Sequence, residues 1–407
     1  MKNHVMWLTI LYAHTLLIQL PIITDGMAFL SRYSHFICSV ILFAYIISHS
    51  NMSFIKKYKN VNIPVGLFVL GIIITSLKVN DINVSRYFAY TYNNSYDNNG
   101  SFYGLTIAFA ILTSYLFIEY IIEKNVFHYV LNSLFKVVLI YIIINDVILI
   151  LTGVQETGSG YFVGNKFTVS YLHMFLAVLY NLKSRFNNSR YNERKNIYYL
   201  LFSLIISIYV QCSTAIIGTL LLLIVQSWGH IMQKFIYNKL TYIILIVVCV
   251  CFAFMYSLIL DIPWVQYIIV DILGEDLTLT GRTYIYDTLL DVININPIWG
   301  FGVGNSYQLL YYLFGYPNSQ IGFINLFIEQ GAVGCVTIII LIMVLVNRQI
   351  NDDKNNTIAS LLALTISLIA MSSIEITINL FFFGLLSLLI VTEKTFDNRK
   401  IIYSIYK

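Results

Sequence analysis

Apolar runs near bilayer length follow one another along almost the whole chain, separated by short polar breaks. A bilayer core of about 30 Å is crossed by roughly 20 apolar residues in a helix. On that scale the runs at 5–23, 35–50, 63–77, 104–122, 135–152, 166–182, 197–212, 214–228, 241–260, 322–346, 357–373 and 376–392 predict helical spans. The runs at 63–77 and 214–228 are short and are expected to tilt little or to re-enter. One interval breaks the rhythm. Residues 261–321 are polar and aromatic, and so long a connection in a compact helical protein is usually either functional or disordered. Its apolar periodicity points to a folded segment. The predicted fold class is all-α: a polytopic integral membrane protein of about 12 transmembrane helices, with one long extracytoplasmic loop that carries short helices.

Within that interval Thr280 can cap a helix that begins near Arg282. Tyr284, Ile285, Thr288, Leu289, Val292 and Ile293 then share one face at helical spacing, with Asp287 and Asp291 opposite. Asn296-Pro297 ends the helix, and Gly300-Phe301-Gly302-Val303-Gly304 reads as a tight turn. A smaller polar loop, rich in Asn and Tyr, is expected at 78–103.

Composition agrees with the pattern. The 407 residues are 58% hydrophobic and only 11% charged, which a soluble domain would rarely show. No repeat or soluble domain is evident, so residues 1–407 are expected to form a single membrane domain. Met1-Lys2-Asn3-His4 and the apolar run behind it look like a signal peptide, but Pro21 sits where a cleavage site would be, and a retained first helix is expected. With the N-terminus inside, all but five of the 24 cationic residues fall on the inner segments; Arg32, Lys78, Arg86, Lys166 and Arg282 fall outside. This positive-inside asymmetry predicts that both chain ends are cytoplasmic. The net charge of +4 therefore carries no implication of nucleic acid as a partner. The basic run from Arg185 to Lys195 is a topology signal that could also meet anionic lipid headgroups. All five cysteines lie in or at the ends of apolar runs, where they act as small hydrophobes.

Candidate chemistry clusters at the outer ends of the spans. Arg282 in a first helical turn opposes the helix dipole by about 0.3–1 kcal/mol, so an anion bound at that end would account for it. An ion pair with Glu275 or Asp276 would account for it equally well. Gly158-Ser159-Gly160-Tyr161-Phe162-Val163-Gly164-Asn165-Lys166 brings Lys166 to the membrane surface, within reach of a phosphate. Gln211-Cys212-Ser213-Thr214-Ala215-Ile216-Ile217-Gly218 is a small-residue junction between two short helices. Asp146, His173, Glu329 and Glu375 are ionisable groups within or beside spans, where such groups are costly and often functional. For His173 the expectation is a satisfied core histidine.

Taken in order, Val163-Gly164-Asn165-Lys166, Ser213-Thr214-Ala215-Ile216-Ile217-Gly218, Leu279-Thr280-Gly281-Arg282-Thr283, Asn296-Pro297-Ile298-Trp299-Gly300-Phe301-Gly302-Val303-Gly304 and Gly322-Phe323-Ile324-Asn325-Leu326-Phe327-Ile328-Glu329-Gln330-Gly331-Ala332-Val333-Gly334 resemble the O-antigen polymerase and O-antigen ligase superfamily. The resemblance runs over about 153–346. It implies a metal-independent membrane glycosyltransferase, with no cofactor, in the bacterial cytoplasmic (inner) membrane. The substrate it implies is a polyprenyl-pyrophosphate-linked oligosaccharide at the outer leaflet. Arg282 matches the family's loop arginine, expected to hold the pyrophosphate, and Lys166 with Asn165 stands at its Gly-Asn position. Many relatives carry a His-Asn pair before Gly322-Phe323, the His being the presumed base of ligases. Here Gln320-Ile321 stands in its place, and glutamine can orient a hydroxyl but takes no proton at neutral pH.

These readings favour a polymerase of lipid-linked repeat units for O-antigen or capsular polysaccharide. Catalytic candidates are Arg282, Asp287, Gln320 and Glu329. Substrate-binding candidates are Lys166, Arg86, Asn165, Tyr284, Trp299 and Tyr307; no metal ligands are expected. Membrane lipids are partners, as are a chain-length regulator and a flippase of the same pathway. The alternatives are a ligase that passes the glycan to lipid A core or protein, and a transporter or flippase. A transporter should show paired halves, and none is evident.

Overall fold

A computed structural model describes residues 4–18, 25–50, 53–78, 92, 100–154, 161–186, 193–227, 229–272, 282–315, 318–352 and 357–392. Of residues 25–32, 100–101, 193, 229–231, 253–254, 256–258, 282–284 and 287 it describes the backbone alone. Arg86 lies outside the described residues, as do Gly158-Ser159-Gly160 and Thr280-Gly281.

All regular structure among the described residues is helical. Helix α1 (Val5–Tyr12) runs into a π-helical turn (Ala13–Leu17). There follow α2 (Asp25–His49), α3 (Phe54–Lys57), α4 (Lys59–Lys78), α5 (Gly100–Glu123) and α6 (Phe127–Thr152). Next come α7 (Lys166–Phe186), α8 (Glu193–Tyr209), α9 (Ser213–Ser227), α10 (Gly229–Ile236) and α11 (Lys239–Leu260). The interval 261–321 carries α12 (Pro263–Tyr267), a π-helical turn (Ile268–Ile272), α13 (Arg282–Ile295) and α14 (Ser306–Phe314). The chain closes with α15 (Gly322–Asp352), α16 (Ala359–Met371) and α17 (Leu380–Leu388).

A helix occupies each of the twelve positions predicted from hydropathy, but they are unequal. Among the described residues four are long and apolar enough to cross a membrane: Lys59–Lys78, Phe102–Glu123, Phe127–Thr152 and Gly322–Asp352. Others are apolar but short. At 1.5 Å per residue, α16 with 13 residues spans about 20 Å and α17 with 9 spans about 13 Å, both below the bilayer core of about 30 Å.

The outward faces explain what solvates the bundle. Ile143, Val147, Ile150 and Leu151 of α6 are exposed, as are Ile205 and Ile208 of α8 and Ile244 and Val248 of α11. Rows of exposed branched side chains would be unfavourable in water. In a bilayer they meet hydrocarbon, while the helices satisfy their own backbone groups. This is a membrane protein.

Inside, α4 packs between α5 and α15, and α2 lies against α5. A second series runs α6, α7, α8, α9 and α16, each against the next. One pair of intramembrane polar groups is matched: His173 Nε2 lies 3.2 Å from Asp146 Oδ1, with the ring edge-on to Phe202. All five cysteines are free, and the Cys249 thiol donates to Ile369 O at 3.1 Å.

Candidate functional site

Two structures gather at the Lys166 end of the bundle. The first is a junction built from glycine. Helix α15 is interrupted at Gly331 (φ 60°, ψ −161°), nine residues after it begins. In an unbroken helix Ala332 and Val333 would donate to Ile328 and Glu329. Here those carbonyls accept instead from Phe301 N (2.8 Å) and Gly302 N (2.7 Å) of the turn that follows α13. The freed N–H groups of Ala332 and Val333 donate to Pro297 O (2.8 Å) and Ile298 O (3.2 Å). The turn thus replaces the missing helical bonds one for one, which a buried backbone requires. Such an approach leaves no room for a Cβ. One added at Gly300 (φ +66°) would sit 2.6 Å from the backbone of Glu329, Gln330 and Gly331. One at Gly331 would strike the Ile298 carbonyl.

Side chains finish the junction. Glu329 Oε1 accepts from Gly304 N at 3.1 Å and Ser306 Oγ at 2.8 Å, so its carboxylate ties the turn and the start of α14 to α15. Asn305 Nδ2 donates to Phe301 O, and Asn296 Nδ2 to Gly300 O. Trp299, at the apex of the turn, lies beneath Lys78 of α4, whose Nζ is 4.2 Å from the ring centroid. Tyr307 is exposed on α14 and stacks on Tyr311 at 6.0 Å. Gln320 holds a left-handed conformation (φ 59°), its N–H donating to Asn318 Oδ1 at 3.0 Å, just before α15 starts.

The second structure is a cavity of about 230 Å³. Lys166, at the first turn of α7, and the segment Gln211–Thr214, which opens α9, form its polar edge. Its remaining wall is mostly apolar: Phe167, Ile217, Phe252, Ile259, Leu260 and Ile269 among others. Lys166 Nζ lies 3.4 Å from Gln211 O, and Gln211 itself is left-handed (φ 54°). Asn165 caps α7, its Oδ1 accepting from Thr168 N at 3.0 Å and Thr168 Oγ at 3.1 Å. Two motifs 45 residues apart in the chain therefore meet around one space.

Helix α11 connects the two structures. Phe252 lines the cavity and also packs against the cluster formed by Ile285, Tyr286, Leu289 and Val292 of α13. The helix bounds predicted for α13 match those found. Its buried residues are Ile285, Leu289 and Val292, as spacing predicts, and Tyr286, while Thr288 and Ile293 are half-buried. Arg282, Tyr284 and Asp287 lie on this helix, their side chains outside the described residues; Asp291 is exposed. At the other edge Gly322 N donates to Ser372 O at 2.8 Å, joining the Gln320 turn to the α16–α17 connection, from which Ile374 reaches the cavity wall. Glu375 in that connection is buried and accepts from Ile376 N at 3.0 Å.

Spacing alone did not indicate the partners of Trp299, Glu329 or Asp146. The two motifs flanking the junction were legible separately, and a glycine inside an apolar helical run was the available hint that another backbone approaches there. Among the described residues no group of three or more His, Cys, Asp or Glu side chains is placed to hold a metal ion.

No curated protein and no solved structure matches the chain. Residues 198–339 match the family model described as O-antigen ligase. That stretch runs from α8 to the middle of α15 and contains the Gln211–Thr214 edge of the cavity, helix α13 and the whole Gly300–Gly331 junction. The match supports the resemblance of this membrane protein to the O-antigen polymerase and ligase superfamily.

Proposed function

We propose that this protein polymerises polyprenyl-pyrophosphate-linked oligosaccharide repeat units at the outer face of the cytoplasmic membrane. The observation that carries the reading is the Lys166 cavity, where one cation meets a mostly apolar wall. Such a space suits a ligand with an anionic head and a hydrocarbon tail. The isoprenoid would lie against Phe167, Ile217 and Phe252. The phosphates would meet Lys166 at the polar edge formed with Gln211–Thr214. Arg282, in the first turn of the helix packed against α11, would be the second cation of the site.

In the reaction an acceptor sugar hydroxyl bonds to the anomeric carbon of the growing chain as that carbon's bond to the pyrophosphate oxygen breaks. The polyprenyl pyrophosphate leaves with the electron pair, and the hydroxyl proton is released. Negative charge gathers on the leaving group, where fixed cations lower the barrier. Arg282 and Lys166 take that part. Arg86 is a further cation for the same task, and Lys78 serves less directly because it already covers the Trp299 ring. The cation–π pair sets the orientation of Trp299, which with Tyr307 and Tyr284 would line the sugar path. Gln320 and Asp287 are assigned to orienting the acceptor. Glu329 and Asn165 are assigned to holding the junction and the α7 start, on the strength of their hydrogen bonds. A glutamine where ligases carry their presumed base favours polymerisation over transfer to lipid A core or protein.

The test is the surface glycan of a deletion strain. A polymerase leaves single-repeat caps, a ligase leaves bare cores, and a flippase leaves lipid-linked units inside the cell. Complementation with Arg282→Ala should restore protein but not long glycan; full chain length from that variant would overturn the proposal.

A further inference from the structure

A second and larger cavity, about 560 Å³, lies at the far end of the same helices. Asn181 and Arg185 of α7 line it, together with Asn196 of α8, Gln226 of α9, Gln233 of α10 and Ser360 of α16. Along α7 this is roughly 30 Å from Lys166, at 1.5 Å per residue. The donor cavity and the glycine junction play no part in it.

Three features show that it is a polar site with a preferred charge. Among the described residues Arg185 is the one charged residue of the lining, and no Asp or Glu belongs to it. Its Nε donates to Asn181 Oδ1 at 2.9 Å, which fixes the guanidinium at the cavity edge. Asn196 is 2% exposed and Ser360 is 4% exposed. Asn196 Nδ2 donates to Gln226 Oε1, yet among the described residues Asn196 Oδ1, Gln226 Nε2 and Ser360 Oγ find no hydrogen-bond partner. Leaving a buried polar group unmatched is costly, so a cluster of three around one space signals something that satisfies them. The wanted ligand accepts from an amide and a hydroxyl, donates to a carbonyl and carries negative charge.

We propose that this cavity binds an anionic phosphate ester that also bears a hydroxyl. Two sources share that chemistry: the headgroup of a glycerol phospholipid, and a soluble phosphate ester. The five cations between Lys183 and Lys195 would raise the local concentration of either. The site is separate from the proposed reaction and stands whether or not the chain polymerises glycans.

Binding is read by the thermal midpoint of the purified full chain, since a ligand of the folded state raises it. Phosphatidylglycerol is added to phosphatidylcholine nanodiscs in one arm, and glycerol 3-phosphate to detergent-solubilised protein in the other. A rise with phosphatidylglycerol alone identifies the lipid. A rise with glycerol 3-phosphate identifies the soluble ester. Either response should need roughly ten- to a hundredfold more ligand in Arg185→Gln, which loses a charge-assisted bond. Ser360→Ala removes a single hydroxyl and should weaken the response several-fold while the unliganded midpoint stays close to that of the parent. No rise in either arm, or a rise equal in the parent and both variants, overturns the proposal and leaves a cavity filled by water.

Discussion

Replacing Gly300 by alanine tests whether the turn and the broken helix form one unit. The new methyl would lie 2.6 Å from three backbone atoms at the break in α15, and none of them belongs to a flexible side chain. The φ of +66° adds about 1–2 kcal/mol for any L-residue. Relieving the clash means parting the two chains, with overpacking costs of about 1–3 kcal/mol. Together the loss is about 2–5 kcal/mol. Gly66→Ala is the matched control, because nothing lies within 4 Å of its added Cβ and its helical setting should gain about 0.5–1 kcal/mol. Thermal unfolding of both variants in one detergent should move their midpoints in opposite directions. An unshifted Gly300→Ala protein would refute the interlocked backbone described here.

Three other perturbations follow from the same geometry. Lys166→Ala should cut polymerisation by about 10²–10³-fold if it stabilises developing charge, measured by turnover of a lipid-linked repeat in reconstituted membranes; unchanged turnover would remove it from the site. Glu329→Gln keeps an acceptor oxygen for Gly304 and Ser306 and should retain activity, whereas Glu329→Leu strands both donors at about 1–3 kcal/mol each. A well-folded but inactive Glu329→Gln enzyme would return this carboxylate to proton transfer. Lys78→Met should lower stability by about 0.5–1 kcal/mol, the worth of an exposed cation–π pair, seen as a small drop in unfolding midpoint that Trp299→Phe largely avoids.

Hydropathy located the helices well because burial in lipid imposes one strong requirement, a long apolar run with every backbone bond satisfied. It did less well on length. Residues 376–392 are mostly apolar, yet only Leu380–Leu388 are α-helical, since Asn379 caps the helix through Phe382 N and the segment before it folds into turns. The face of α13 was readable from its period, and Tyr286 was missed because a tyrosine with its ring buried looks like an interfacial one in sequence. Motif order indicated which segments matter for function. It could not show that Lys166 meets Gln211, or that Phe301 completes the hydrogen bonding of Ile328, because both depend on helix packing between distant parts of the chain. Local periodicity carries no term for such pairings.

The brevity of α16 and α17 has a structural consequence. Both helices are buried among their neighbours, so what they lack in length is made up by other helices of the protein. The polar groups of their connection, Ser372, Glu375 and Thr377, are shielded from hydrocarbon in the same way, by protein.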